Sequence, residues 1–68
     1  MKEEIFNMGV RKFLKKVGVT AQREIEKSVD EALKANNLQG NESLHAKVIL
    51  EVSGINLNTV IEGEINLE

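Results

Sequence analysis

Apolar residues recur at two different spacings along this chain, and the change comes near residue 43. Phe6, Val10, Phe13, Leu14 and Val17 follow one another at steps of three and four residues or lie beside such a position, the stripe of an amphipathic helix. The spacing predicts a first helix from about Glu3 to Val17. Glu3 and Glu4 suit its positive end, and Lys15 and Lys16 its negative end. Gly18 is then read as a left-handed cap, and Thr20 as the N-cap of a second helix from about Ala21 to Asn36. Ala21, Ile25, Val29, Ala32 and Leu33 form the second stripe, and Asn37 is the residue suited to end it in a left-handed conformation. Beyond the loop QGNES the period becomes two.

Leu44, Ala46, Val48, Leu50 and Val52 alternate with His45, Lys47, Ile49, Glu51 and Ser53, which predicts a half-buried strand. After GIN the alternation resumes, with Leu57, Thr59, Ile61, Gly63, Ile65 and Leu67 on one face. Asn58, Val60, Glu62, Glu64 and Asn66 lie on the other. Two such runs about a glycine predict a β-hairpin. With Gly54 and Ile55 as a two-residue type II′ turn, Val52 faces Leu57, Ala46 faces Gly63, Lys47 faces Glu62 and His45 faces Glu64. The small pair Ala46 and Gly63 leaves a depression that Phe6 or Phe13 is expected to fill. The predicted architecture is α+β, residues 1–68 as a single small domain. Two antiparallel helices pack on one face of a C-terminal antiparallel hairpin, the order being ααββ.

Size and charge sharpen the reading. A chain of 68 residues lies near the lower limit for folding alone, and it has no cysteine to brace it with a disulfide. Roughly sixteen apolar residues must offset the conformational entropy of the whole chain, a balance near zero at this size. A two-stranded sheet also leaves both edges unpaired. Both facts point to a homodimer. Ile49 and Val60 break the polar face of the hairpin in register with each other, and Leu67 extends beyond the first strand. These three are the candidate dimer contacts, with the sheet extended through the edge from Val60 to Leu67.

Net charge is −2, but eight of the nine cations lie in residues 1–34 with six acids, and five of the eleven acids lie beyond with one lysine. Met8, Arg11, Lys12, Lys15 and Lys16 gather away from the apolar stripe as a candidate binding face for an anionic partner. The sequence VGVTAQREIEKSV resembles a helix-turn-helix only in outline. The apolar anchor expected six positions after Gly18 is Glu24, and Ile25 comes one step, or 100°, too late. Four acids on that helix would also face phosphates.

His45, Lys47, Glu62 and Glu64 are the groups an enzyme would have to use, and on an open sheet face they read as cross-strand ion pairs. No catalytic, cofactor or metal site is expected. No apolar run approaches a membrane span, and the N-terminus lacks the apolar core of a secretory signal, which suggests the cytoplasm.

The stretch FNMGVRKFLKKVGVTAQREIE and the ending VIEGEINLE resemble those of a family of short uncharacterised bacterial proteins with a domain of unknown function. The resemblance implies a self-contained domain and carries no activity, cofactor or site residue. Two functions remain open on the residues. One is a non-enzymatic structural or regulatory module that binds another protein as a homodimer. The other is a nucleic-acid accessory protein acting through the basic face.

Overall fold

The computed structural model describes residues 1–68. Its elements are α1 (Glu3–Lys34), β1 (Ser43–Val52), a single 3-10 turn (Ser53–Ile55) and β2 (Leu57–Asn66). The chain divides into two compact units, Met1–Asn37 and Leu38–Glu68. The class is α+β, as the change of period predicts.

The first unit corrects the expected architecture, because α1 is one uninterrupted helix of 32 residues rather than two helices. Gly18 does not cap a helix, and Thr20 does not start one. Both lie in its middle. The physical reason is visible in the spacing. Phe6, Val10, Phe13, Val17, Ala21, Ile25, Val29 and Ala32 step by four or three without a break, averaging about 3.7 residues against the 3.6 of a helix. The two stripes are therefore one seam, in phase across Gly18. A helical glycine costs about 1 kcal/mol, whereas ending one helix and starting another would strip the intrahelical partners from several carbonyls and amides. No proline forces the break. Continuation wins.

The helix begins after Lys2, which is extended and provides no side-chain cap, and Glu3 and Glu4 occupy the first turn. It ends at Lys34, two residues earlier than the sequence suggests, and the left-handed residue moves by one. Asn36, not Asn37, takes the left-handed conformation at φ 60. The Asn37 amide donates to the Ala32 carbonyl at 2.8 Å and the Asn36 amide to the Leu33 carbonyl at 3.1 Å. This pair of bonds is the Schellman arrangement, which satisfies carbonyls that a helix end leaves free.

In the second unit, β1 and β2 form a two-stranded antiparallel sheet with ten register pairs from Ser43 and Asn66 to Val52 and Leu57. The register is the predicted one, including Ala46 with Gly63, Lys47 with Glu62 and His45 with Glu64. The turn is not. Residues 53–56 form a four-residue loop in which Asn56, left-handed at φ 54 and ψ 33, supplies the positive φ expected of Gly54. A 3-10 turn followed by one left-handed residue reverses the chain in the same register, and asparagine tolerates that conformation nearly as well as glycine. Within the hairpin, a Cβ built on Gly63 meets no heavy atom within 4 Å. Phe6 and Phe13 are both about half exposed.

Candidate functional site

The helix presents the five residues of the candidate binding face without obstruction. Met8, Arg11, Lys12, Lys15 and Lys16 are all exposed. At 100° per residue they spread over one side of α1, away from the seam through Val10, Phe13 and Val17. None of the four cations has an ion-pair partner, whereas Lys34 near the other end is held by Asp30 at 2.9 Å. Four uncompensated positive charges within two turns make a local field that attracts anions.

On the hairpin, the register divides the side chains into two faces. One carries Leu44, Ala46, Val48, Leu50 and Val52 opposite Ile65, Gly63, Ile61, Thr59 and Leu57. On the other, Ile49 lies opposite Val60 within a polar surround, and the two are 55% and 50% exposed. Large β-branched side chains paired in this way, with half their surface in water, are the most conspicuous apolar feature of that face. Leu67 is placed differently. It follows the end of β2, is half-buried, and its amide donates to the Glu42 carbonyl at 2.9 Å.

The ionisable groups of this face keep their register but not the expected contacts. The His45 ring reaches Glu62 Oε1 at 2.8 Å through Nε2, on the diagonal. Ser43 Oγ donates to Glu64 Oε2 at 3.4 Å. His45 and Glu62 each keep about three-fifths of their side-chain surface in solvent. Water therefore screens the pair, and such a pair is worth little.

One residue was not singled out in the sequence. Glu42 folds its carboxylate over the loop that leads into β1, accepting from the Gln39 amide at 2.8 Å and the Gly40 amide at 3.0 Å. Those bonds, the Gln39 bond foremost, hold its carboxyl below the usual 4.5, against a smaller opposing effect of desolvation. Gly40 supplies the positive φ of 98 that the loop requires. A glycine two residues before a glutamate was the available signal. Glu42 is a structural clamp at the entry to the hairpin.

No helix is long and apolar enough to cross a membrane. Comparison with family models matches a family of unknown function, DUF6494, over residues 1–68. No curated protein and no solved structure matches the chain. The match extends over the whole length, and the chain belongs to that family.

Proposed function

We propose that this member of the family is a non-enzymatic structural or regulatory module of the bacterial cytoplasm that self-associates as a homodimer and binds another protein. One observation carries the reading: neither unit buries a single side chain, while sixteen large apolar residues are exposed. Folding must offset roughly 1.5 kcal/mol of conformational entropy for each ordered residue, chiefly through buried apolar area. A unit that buries no side chain gains little of that term by itself. A second chain supplies the missing cover. Sedimentation or light scattering across micromolar concentrations tests this. The expected mass is that of two 7.6 kDa chains. A folded species with the mass of one chain at every concentration overturns it.

A second reading rests on the unpaired cations of α1. Arg11, Lys12, Lys15 and Lys16 are exposed and free of carboxylates, which suits a nucleic-acid accessory role. Reversing Arg11, Lys12 and Lys15 to glutamate would then abolish a salt-sensitive gel shift and leave the circular dichroism unchanged. Absence of any shift at low salt removes this reading and leaves the first intact.

A further inference from the structure

We infer that the homodimer forms by antiparallel pairing of β1 with β1 of a second copy, about a twofold axis at Ile49. The inference rests on the self-association proposed above and names its surface. The sheet has only the strands β1 and β2, so one edge of β1 has no neighbouring strand. That edge is a ten-residue run without proline, and its register with β2 is unbroken by a bulge. Such an edge is a ready template for another strand.

Charge selects the occupant and the register. In an antiparallel pair related by a twofold axis through the sheet, residues equally far on either side of the axis face each other. Lys47 and Glu51 stand two places before and two places after Ile49. An axis at Ile49 therefore sets Lys47 opposite the partner's Glu51, and the symmetry makes the pair twice. The register within the hairpin already places Glu62 on the other side of Lys47. Each lysine would then lie between two carboxylates across the sheet.

The apolar residues agree. Ile49 meets the partner's Ile49 at the axis, and each has Val60 on its far side. The outcome is an unbroken row of four β-branched side chains across a four-stranded sheet, made from a pair that each hairpin leaves half exposed. On the opposite face Val48 meets the partner's Leu50, and Ala46 the partner's Val52.

Competing registers lose these matches. An axis at Val48 sets Lys47 against the partner's Ile49. Pairing through β2 is worse, because Leu57–Asn66 contains Glu62 and Glu64 and no cation. No register of β2 against itself gives an ion pair, and an axis at Glu62 sets two carboxylates face to face. This selects β1 over the edge from Val60 to Leu67 that the sequence suggested.

The chain has no cysteine, which makes a direct test available. Full-length Ile49→Cys, oxidised in solution, should cross-link to a covalent dimer, because a residue on the axis faces its own copy. Val60→Cys, one strand further out, should not. In parallel, Lys47→Glu or Glu51→Lys alone should weaken the dimer roughly tenfold or more, since each sets two pairs of like charges against each other across the axis. An equal mixture of the two variants should restore it, because both new pairs are then opposite in charge. If the wild type sediments as a dimer but either the cross-link or the rescue by mixing fails, the axis at Ile49 is wrong and self-association stands. If the wild type has the mass of one chain throughout, both fall. Circular dichroism on each variant ensures that only folded protein is compared.

Discussion

His45 reaches across the hairpin to Glu62 on the diagonal, at 2.8 Å, and not to Glu64, the residue directly opposite it in the register. Diagonal neighbours on one sheet face lie within reach of long side chains, and Glu62 extends to meet the imidazole. Because both groups are largely solvated, Glu62→Gln should cost no more than ~1 kcal/mol, and with His45 protonated the loss should vanish in ~1 M salt. Glu64→Gln should cost less, since its one contact is the 3.4 Å bond from Ser43. Thermal melts at two salt concentrations measure both. A larger effect at Glu64 would contradict the diagonal pairing.

Gly18 provides a test of the single helix. A Cβ there meets no heavy atom within 4 Å, so Gly18→Ala should stabilise α1 by about 0.5–1 kcal/mol through lower chain entropy. Were residues 18–20 a left-handed turn between two helices, the same change would destabilise. The sign of the shift in the circular dichroism melt distinguishes them.

The hairpin loop makes an opposite pair of expectations. Asn56 is left-handed, so Asn56→Val should cost about 1–2 kcal/mol and Asn56→Gly close to nothing. Gly54→Ala should be tolerated, because Gly54 has no positive φ and open space beside it. Denaturant titrations of the three variants provide the ranking. A costly Gly54→Ala would restore the type II′ turn.

The register was legible in the sequence although the turn was not. Alternation fixes which residues share a face, and a slip by one would turn Leu44 and Leu50 outward, so the pairing was strongly specified. The loop had no such constraint: Gly54 and Asn56 both tolerate the left-handed region, and a turn of either kind closes Val52 on Leu57. The break at Gly18 was misread for a related reason. Glycine, valine and threonine read locally as a cap followed by a new start, but the phase of Val17, Ala21 and Ile25 continues straight through them. Phase held from Phe6 to Ala32 outweighs one unfavourable position. The basic face was legible because four cations on one side need no tertiary knowledge. The Glu42 clamp was not, because its partners are backbone amides.

Glu42 gives a pH dependence of definite sign. Its carboxyl titrates lower in the folded chain than the ordinary 4.5, so the stability it contributes is fully present above that value. It is lost as the pH falls through the depressed folded value. Glu42→Gln should therefore melt below the wild type at pH 7, and the two curves should converge in strong acid. A constant gap at all pH values would show that the carboxylate charge has no part in holding the loop.

Every cross-strand pair nests around the loop at residues 53–56, and the helix is built from bonds between near neighbours in sequence. Such a hairpin zips within ~1–10 μs, and a helix relaxes within ~1 μs. Within each unit, no step waits on the closure of a long segment. If two chains must meet to complete the fold, the slow event is their encounter, and the slowest refolding phase should quicken as the protein is made more concentrated.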